Sequence, residues 1–336
     1  MKKLFLILVA NVFFLTCTVY ASENSEWMSS LSDSMPVSIV SIPGTHDSAA
    51  YKMNGASKLL SPWAKTQDKS ISQQLDMGVR YFDLRVYDDM SMHHGIAWVG
   101  ESLLYHLKEI NSFLELHPRE FVIVRLKNEQ GTNITEDYTF LKNIVKVIPE
   151  SGVYNKLYTK VNSLPVVKDV RGKIVMIDDT GGWLMPFSAY NYRKAIFIQD
   201  NYKDVSIDEK LRLVTTFING VNTEYRYLSL NHLSFTNSPK TIYNVSMEMN
   251  TRFDKWFVEN KDNLQTVGIT IVDFANQTLI NNIIDLNSKN KKVFDDLEKY
   301  KEGDLSRYKD LSELANNISD NIVGKIVQER LGMIKE

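Results

Sequence analysis

Two histidines stand in polar segments that directly follow apolar stretches of the chain. His46 and Asp47 come after a turn that Gly44 makes sharp, and His94 follows Arg85 within a few residues. Cleavage of a phosphodiester needs one neutral imidazole that accepts a proton and one protonated imidazole that donates a proton to the leaving alcohol. A nearby guanidinium would bind the phosphoryl oxygens and stabilise the developing charge. The pattern therefore predicts acid/base catalysis on a phosphate ester.

The segments that would position these residues alternate between β-branched and amphipathic patterns, which is typical of βα units. The predicted strands are residues 38–43, 80–86, 91–93, 121–127, 173–178, 195–199, 226–230 and 267–273. The clearest predicted helix begins near 103 and stops at 117–118, and others cover about 135–147, 207–218, 241–257 and 278–286.

Ionisable residues stand at or just after the carboxyl ends of the predicted strands. They are His46, Asp47, Arg85, His94, Lys127, Glu129, Asp178, Asp179, Asp200 and Asp273. In a (β/α)8 barrel the reactive groups cluster at that rim, where several strand ends contribute them. The sequence therefore predicts an α/β barrel enzyme.

Strand alternation refines this prediction. Asp83 and Arg85 share one side of their strand, and Arg125 and Lys127 share one side of theirs. Charges that point into a barrel need partners. We therefore expect Asp83 to meet Arg125 one layer below the rim.

The composition excludes several classes of protein. The 336 residues carry 39 Lys and Arg against 41 Asp and Glu, a formal charge of −2, and 43% of them are hydrophobic. These values exclude a disordered or coiled-coil chain. Because no polycationic field is present, the charge also argues against nucleic acid as a partner.

The first residues have the layout of a secretory signal peptide. Two lysines precede an apolar run from Leu4 to Leu15, and residues 19–21 form a plausible cleavage triplet. The run is too short for a membrane span of about 20 residues. Removal of residues 1–21 would leave a secreted chain, extracellular or periplasmic, without the sole cysteine, Cys17. Cysteine nucleophiles would then be excluded, and a lipid anchor on Cys17 is the minor alternative.

The chain carries a series of motifs in fixed order: residues 42–48 (IPGTHDS), 82–85 (FDLR), 93–95 (HHG) and 125–129 (RLKNE). This series resembles the successive motifs of bacterial phosphatidylinositol-specific phospholipase C. The similarity continues through 171–175, 199–202 and 268–273, and it covers about 38–286. The resemblance implies a distorted, incompletely closed (β/α)8 barrel, which we place at residues 22–290.

The resemblance also implies a role for each rim residue. His46 would be the general base that removes the proton of the inositol 2-hydroxyl, and Asp273 would orient it. Asp47, Arg85 and His94 would form the acid side: His94 would protonate the diacylglycerol oxygen while Arg85 stabilises the phosphoryl charge. The products would be inositol 1,2-cyclic phosphate and diacylglycerol, with glycosylphosphatidylinositol anchors as an alternative substrate.

Three further residues match positions that hold the inositol ring. Lys127 and Asp200 would do so by hydrogen bonds and Tyr202 by stacking, which suits a polyol. Asp178 and Asp179 are a departure, because Bacillus-type enzymes carry a basic residue there. The head-group preference therefore stays open.

Arg85 bears on the question of a metal. Calcium-dependent relatives place a carboxylate ligand at this position, and a guanidinium cannot coordinate a cation. The sequence therefore predicts a metal-independent enzyme that needs no cofactor.

A lipid substrate requires contact with a membrane. Trp63 lies in a segment, residues 59–63, that resembles the tryptophan-bearing rim helix of the family, and interfacial tryptophan is physically apt. Trp183 is a weaker candidate for the same contact, and the alternative for Trp63 is simple packing in a loop. The expected partner is phosphatidylinositol in a membrane, bound transiently by a monomer.

The composition changes from about residue 291 to 336, where the chain becomes charged and poor in aromatic residues. Apolar residues at three-to-four spacing from Leu311 to Ile326 predict an amphipathic helix. We expect a helical extension packed on the barrel. A helix for a partner or a membrane surface is the alternative.

Two other functions compete with the leading one. A barrel phosphodiesterase for another lipid head group, similar to glycerophosphodiesterases, would use a carboxylate metal cluster, and Arg85 argues against it. A catalytically inactive module that binds inositol lipids would not need both histidines together with Asp47, Arg85 and Asp273.

Overall fold

The computed structural model describes residues 24–131, 138–161, 163–203, 205–301, 307–317 and 321–333. Its strands are β1 (Ile42–Thr45), β2 (Tyr81–Val86), β3 (His93–His94), β4 (Ala97–Trp98), β5 (Val122–Asn128), β6 (Leu157–Tyr158), β7 (Ile174–Asp179), β8 (Tyr190–Asn191), β9 (Ile196–Gln199), β10 (Leu228–His232) and β11 (Ile269–Val272). The signal peptide predicted at residues 1–21 lies outside the described residues. Among those that are described, no helix is long and apolar enough to cross a membrane.

The main sheet is parallel throughout and has the strand order β6-β7-β5-β2-β1-β11-β10-β9, with β8 paired to β7. The first long strand, β1, pairs with the last, β11, which is the closure of a barrel. On the opposite side, no pairing joins β9 to β6 or β8 in the part of the chain that the structure describes. The predicted α/β barrel is therefore confirmed, and it is open on one side.

Seven of the eight predicted strands have counterparts in this sheet. The exception is the segment 91–93, because His93–His94 instead forms a two-residue antiparallel hairpin with Ala97–Trp98 outside the barrel. The sheet also contains β6 and β8, which the sequence analysis missed. Strands of two residues are too short to show an alternating pattern, which explains the omission.

The helices are α1 (Ser61–Ala64), α2 (Ile71–Met77), α3 (Leu103–Leu116), α4 (Thr139–Glu150), α5 (Val167–Val170), α6 (Ile207–Val221), α7 (Ile242–Asn260), α8 (Gln277–Asp285), α9 (Ser288–Lys301), α10 (Arg307–Asn317) and α11 (Ile322–Arg330). Hydroxyl side chains at Ser102, Ser206 and Thr241 accept hydrogen bonds from the first turns of α3, α6 and α7. These caps fix where the helices begin. The predicted start of α4 near residue 135 lies outside the described residues.

Every second residue of the longer strands faces the barrel interior. Along each of these strands the inward residues change from apolar at the amino end to mostly polar at the carboxyl end. The inward triplets are Ile42-Gly44-His46, Tyr81-Asp83-Arg85, Ile123-Arg125-Lys127, Val175-Ile177-Asp179, Ile196-Ile198-Asp200, Leu228-Leu230-His232 and Ile269-Ile271-Asp273. The alternate set, such as Leu84 and Val124, packs against the surrounding helices. The lower barrel is thus an apolar core, and the carboxyl rim is ionisable.

Gly44 lies within β1 and not in the sharp turn expected from the sequence, and it makes the filling of that core possible. A Cβ at this position would lie 2.9 Å from the ring of Tyr81, which is closer than a carbon atom can approach. The absence of a side chain at Gly44 therefore lets the Tyr81 ring occupy the barrel beneath His46.

Helices α9, α10 and α11 make up the C-terminal extension. Their side chains Phe294, Leu311 and Ile326 join the core cluster that contains Met28 and Ile42 at the amino ends of the strands. The apolar stripe predicted for one helix is divided between α10 and α11, and Ile318 between them lies outside the described residues. The extension packs on the end of the barrel opposite the ionisable rim.

Candidate active site

A cavity of about 820 Å³ opens at the carboxyl ends of the strands. Eight of the nine predicted site residues line it: His46, Trp63, Arg85, His94, Lys127, Asp200, Tyr202 and Asp273. The ninth, Asp47, is buried behind Arg85 and His94. The structure therefore brings all of the predicted residues to one place.

His46 and Asp273 form a close pair at the top of β1 and β11. Each lies one position beyond the paired residues Thr45 and Val272, so the register places them side by side. The Nδ1–H of His46 donates to Oδ1 of Asp273 at 2.8 Å, and Nε2 accepts from Nη2 of Arg85 at 2.7 Å. These two partners assign the tautomer in which Nε2 is the basic atom.

The surroundings of His46 set its basicity. Burial lowers the pKa of its imidazole, and the Arg85 charge lowers it further, but the charge and hydrogen bond of Asp273, together with the charge of Asp47, outweigh both, so the pKa is raised above its ordinary value of 6.5. A buried histidine that keeps its basicity in this way is suited to accept a proton near neutral pH.

Arg85 is the centre of a group of carboxylates. Its Nε and Nη2 donate to Oδ2 of Asp83 at 3.1 and 2.8 Å, and Nη1 lies 3.1 Å from Oδ2 of Asp47 and 3.5 Å from Glu129. Burial lowers the pKa of the guanidinium, but these three carboxylates raise it well above its ordinary value. A fixed positive charge therefore faces the cavity.

Asp47 joins Arg85 to the second histidine. Its backbone has φ of 43°, a left-handed conformation that is rare for aspartate, and its N–H donates to Asp83 at 3.2 Å. Oδ2 of Asp47 lies 3.5 Å from Nε2 of His94, whose Nδ1–H donates to the carbonyl oxygen of Ala64 at 2.8 Å. Burial raises the pKa of Asp47, although Arg85 and His94 oppose the rise.

The two imidazoles face each other across the cavity. The ring centroids of His46 and His94 are 5.8 Å apart with planes at 87°. Each imidazole has its own carboxylate, Asp273 or Asp47, and Arg85 lies between the pairs. With this arrangement one imidazole can accept a proton from a bound molecule while the other imidazole donates a proton to it.

A second charged layer supports the first. Nη1 of Arg125 donates to Oδ1 of Asp83 at 3.1 Å, as expected from strand parity, and its Nη2 donates to Oδ2 of Asp179 at 2.6 Å. The guanidinium also stacks on the ring of Tyr192, 3.9 Å from the centroid. Arg85 and Arg125 together hold the pKa of Asp83 well below its ordinary value despite burial.

The remaining predicted ligands surround the cavity on other strands. Nζ of Lys127 pairs with Glu129 at 2.6 Å, and the ring of Tyr202 is half exposed. Burial raises the pKa of Asp200, but the positive groups around it, among them Arg125 and Lys210, lower it below its ordinary value. A carboxylate, an ammonium and an aromatic face are therefore available to a polar ring in the cavity.

The pair Asp178 and Asp179 divides between two environments. Asp178 faces the outside of the barrel, where Oδ1 accepts from the N–H and hydroxyl of Thr180. Asp179 faces the cavity side and binds Arg125. Neither carboxylate lines the cavity, and Asp179 acts on it only through Arg125, which does.

Sequence analysis missed several residues that shape the site. Tyr192 and Arg193 line the cavity, but they follow the two-residue strand β8, which left no pattern. Lys210 is fully buried under the Asp200 segment, donating to Asn201 O at 2.7 Å, and burial lowers its pKa to about 8. Its position on an ordinary amphipathic helix gave no sign of this contact.

Sequence analysis assigned no role to two further histidines, His93 and His232. In the structure each lies next to a tyrosine. Burial lowers the pKa of His232 to about 3, so its ring is neutral, with Nε2 3.4 Å from the hydroxyl of Tyr192. The ring of His93 stacks on Tyr87 with centroids 3.6 Å apart, and its Nε2 lies 3.1 Å from the hydroxyl oxygen of Ser91.

Comparison with known proteins identifies the class. Residues 40–179 match the family model of the phosphatidylinositol-specific phospholipase C X domain. A 1-phosphatidylinositol phosphodiesterase of Listeria monocytogenes is 31% identical over 276 residues, 79% of this chain and 86% of that protein. The chain therefore belongs to the bacterial phosphatidylinositol-specific phospholipase C family.

Relatives with solved structures agree with this placement. The Listeria monocytogenes phospholipase C has a TM-score of 0.73 at 30% identity, covering 78% of this chain and 98% of that one. A Staphylococcus aureus phosphatidylinositol-specific phospholipase C has a TM-score of 0.66 at 28% identity, covering 80% and 98%. The similarity therefore extends over most of this chain and nearly all of each relative.

Proposed function

We propose that this protein cleaves phosphatidylinositol by attack of the inositol 2-hydroxyl on the adjacent phosphorus, giving inositol 1,2-cyclic phosphate and diacylglycerol. The observation that carries the proposal is the position of His46 between Asp273 and Arg85, 5.8 Å from the second imidazole at His94. The family of the chain supports the substrate, since its relatives are named for this lipid.

The first half of the reaction uses His46. The 2-hydroxyl takes the place of Arg85 at Nε2, so the imidazole accepts its proton while Nδ1 stays bound to Asp273. The resulting imidazolium is stabilised by that carboxylate. The N–H that Arg85 withdraws from His46 turns to a phosphoryl oxygen, where its charge stabilises the transition state.

The second half uses His94. Protonated His94 donates from Nε2 to the glycerol oxygen as the P–O bond breaks, so diacylglycerol leaves as a neutral alcohol. Oδ2 of Asp47 lies 3.5 Å from this nitrogen, on the side of the ring from which the proton leaves. Water can later attack the cyclic ester with the two histidines in exchanged roles.

The inositol ring would be held by Lys127, Asp200 and Tyr202. The ammonium and the carboxylate offer a donor and an acceptor to neighbouring hydroxyls, and the half-exposed tyrosine ring offers an apolar face. A glycosylphosphatidylinositol carries the same ring and phosphate, so it would be the alternative substrate of the same site.

The reaction would proceed without a metal ion. Arg85 brings a guanidinium into contact with three carboxylates that would otherwise be available to a cation. No group of three or more His, Cys, Asp or Glu side chains in the described ranges is arranged to hold a metal. In a metal-dependent enzyme a cation supplies the positive charge at the phosphoryl group. In this protein Arg85 would supply it.

The substrate is reached at a membrane surface. Trp63 on α1 is 64% exposed beside the cavity mouth, and Leu59 and Ile96 are exposed on adjoining segments. We infer that a secreted monomer, freed of residues 1–21, docks transiently through this rim. The extension from residue 291 would stabilise the opposite end of the barrel.

A chelator experiment tests the activity and its metal requirement together. Mature protein from Ser22 onward is incubated with phosphatidylinositol vesicles in excess EDTA, and diacylglycerol release is measured. We expect full turnover, with no gain on adding calcium. Activity that appears only with calcium would overturn metal independence, and inactivity under both conditions would favour a binding module.

A further inference from the structure

Lys210 on α6 is a fully buried lysine that takes no part in the proposed reaction. Val214 and Ile218, one and two turns further along the helix, belong to the apolar core. Lysine is almost never fully buried unless it is paired with an opposite charge. The ammonium of Lys210 forms no ion pair with a carboxylate of the described residues and instead donates two hydrogen bonds. These two contacts must therefore account for its position.

The two hydrogen bonds of Lys210 end on either side of Asp200. Nζ donates to Oε1 of Gln199 at 3.2 Å and to the carbonyl oxygen of Asn201 at 2.7 Å. Gln199 faces α6, whereas Asp200 lines the cavity, as strand alternation requires. The ammonium therefore holds the chain from outside the barrel, at the point where it leaves β9 and enters the cavity wall.

Gln199 extends this contact to the neighbouring strand β10. Its Oε1 also accepts from the N–H of Asn201 at 2.9 Å. Its Nε2 donates to Oδ1 of Asn231 at 2.9 Å and to the carbonyl oxygen of His232 at 3.0 Å. Both polar atoms of this side chain are therefore engaged, and they tie the end of β9 to β10 as well as to α6.

The open side of the barrel makes such support important. β9 pairs with β10 on one side, and no strand of the described chain pairs with its other side. The segment after β9 carries Asp200 and Tyr202, which both line the cavity. Thr236 holds the far end of this segment, since its N–H donates to the carbonyl oxygen of Tyr202 at 2.9 Å. Lys210 holds the near end, where a neighbouring strand is missing among the described residues.

The ammonium also acts on Asp200 through its charge. Burial lowers the pKa of Lys210 to about 8, so the group is still protonated at neutral pH. Burial raises the pKa of Asp200, and the charge of Lys210 is among those that lower it below its ordinary value. Asp200 is thereby favoured as a carboxylate, which accepts hydrogen bonds.

We propose that Lys210 is a positioning residue of the active site, whose buried ammonium fixes residues 199–202 and so holds Asp200 and Tyr202 in place at the open side of the barrel. Lys210 does not line the cavity, so it acts only through Gln199 and the backbone of Asn201. This inference rests on the proposed function and adds to it a residue that lies outside the cavity.

The test compares Lys210→Met with Arg212→Met, which removes an exposed charge from the same helix. Methionine is a flexible, unbranched side chain without a donor. The substrate is soluble inositol 1,2-cyclic phosphate, whose hydrolysis requires no membrane. In Lys210→Met we expect KM to rise roughly tenfold with kcat within about threefold, because the segment that holds the ring shifts while the two catalytic histidines do not. Arg212→Met should match the wild type.

A double-mutant cycle shows whether Lys210 acts through Asp200. Asp200→Asn alone should raise KM. Lys210→Met combined with Asp200→Asn should raise KM by clearly less than the product of the two single effects, since both changes disturb the same contact. The effects of Lys210→Met and Lys127→Met should instead multiply, because Lys127 lies on another strand, β5.

Two measurements separate positioning from a general loss of structure. The urea midpoint of Lys210→Met should not fall, because an apolar side chain replaces a buried charge that has no carboxylate partner among the described residues. Amide hydrogen exchange should become faster in residues 199–203 and stay unchanged in β1 and β2.

Three results would overturn the inference: an unchanged KM in Lys210→Met, effects of Lys210→Met and Asp200→Asn that multiply, or exchange that is unchanged in 199–203 or faster throughout the barrel. If the wild type does not cleave phosphatidylinositol, the proposed function fails. Hydrogen exchange of Lys210→Met still tests whether the lysine fixes the segment, since it requires no substrate.

Discussion

At the scale of single residues, the basicity of His46 depends on a balance between its two neighbours. Asp273 raises the pKa of the imidazole, while burial and Arg85 lower it. Protonated His46 cannot accept the 2-hydroxyl proton, so kcat/KM should fall on the acid side of this pKa. In the wild type the fall should begin above pH 6.5, because the pKa is raised above that value.

Asp273→Asn should shift this acid limb to lower pH. Without the carboxylate, burial and Arg85 dominate and the pKa of His46 falls. The maximal rate should also fall, by roughly 10²-fold or more, because the imidazole loses the partner that orients it and stabilises its charged form. A pH–rate profile of kcat/KM measures both effects. An acid limb at an unchanged pH would mean that Asp273 does not set the basicity of His46.

The pair below the rim should matter for folding. Arg125→Met removes the cation between Asp83 and Asp179, both buried, and leaves them without one of their partners. We expect a loss of about 3–5 kcal/mol in the free energy of unfolding, measured by urea denaturation.

Arg226→Met provides the matched control for this loss. Arg226 is an exposed arginine whose ion pairs are 3.5 and 3.7 Å long. Its replacement should change the free energy of unfolding by only roughly 0–1 kcal/mol. Equal effects of the two substitutions would refute a structural role for the buried layer.

The sequence predicted which residues form the site better than it predicted the contacts between them. His46, Arg85 and Asp273 stand at the ends of clear strands, so their convergence followed from the barrel. The contact between Asp83 and Arg125 followed from strand parity. Arg193 escaped prediction because its neighbour β8 is two residues long, and only the folded sheet places it at the cavity.

At the scale of elements, helix α1 and the β3–β4 hairpin connect the rim to the catalytic cavity. His94 in the hairpin donates to the carbonyl of Ala64, the last residue of α1. The N–H of Trp98 donates to Ser57 in the turn that precedes α1. The exposed apolar side chains of both elements therefore lie on one supported surface.

Trp63→Ala should weaken docking without disturbing the chemistry. Interfacial tryptophan stabilises membrane binding, and its removal leaves the Ala64 carbonyl in place. We expect lower vesicle affinity, measured by sedimentation with vesicles, and a higher apparent KM on phosphatidylinositol, with unchanged hydrolysis of inositol 1,2-cyclic phosphate. Trp256→Phe, a conservative change at a partly buried tryptophan of α7, is the control. An equal loss on the soluble substrate would mean that Trp63 acts on the bound head group rather than at the membrane.

The predicted strands and helices match the structure best where the residue pattern extends over six or more residues. The strands at 80–86, 121–127 and 173–178 and the helix at 207–218 correspond closely to β2, β5, β7 and α6. The prediction of a barrel strand at 91–93 is wrong, because residues 93–94 pair with residues 97–98 in a hairpin. Local alternation does not reveal which partner a short strand has.

At the scale of the whole molecule, the barrel separates stability from chemistry. Apolar residues fill the interior at the amino ends of the strands, where the C-terminal helices close the core. Ionisable residues occupy the opposite ends and surround the cavity. The open side between β9 and the strands β6 and β8 agrees with the incompletely closed barrel that the family resemblance implies. Residue patterns alone do not predict it, since it depends on pairings that are missing among the described residues.

The central claim is that His46 drives an intramolecular attack. Phosphorus NMR of the water-soluble products from phosphatidylinositol tests it most directly, with wild type, His46→Ala and the buried-histidine variant His106→Gln compared at equal concentration of folded protein. We predict a cyclic inositol phosphate signal that appears first with the wild type and with His106→Gln and is absent with His46→Ala. Direct formation of an acyclic inositol phosphate, or undiminished cyclic product from His46→Ala, would contradict the account.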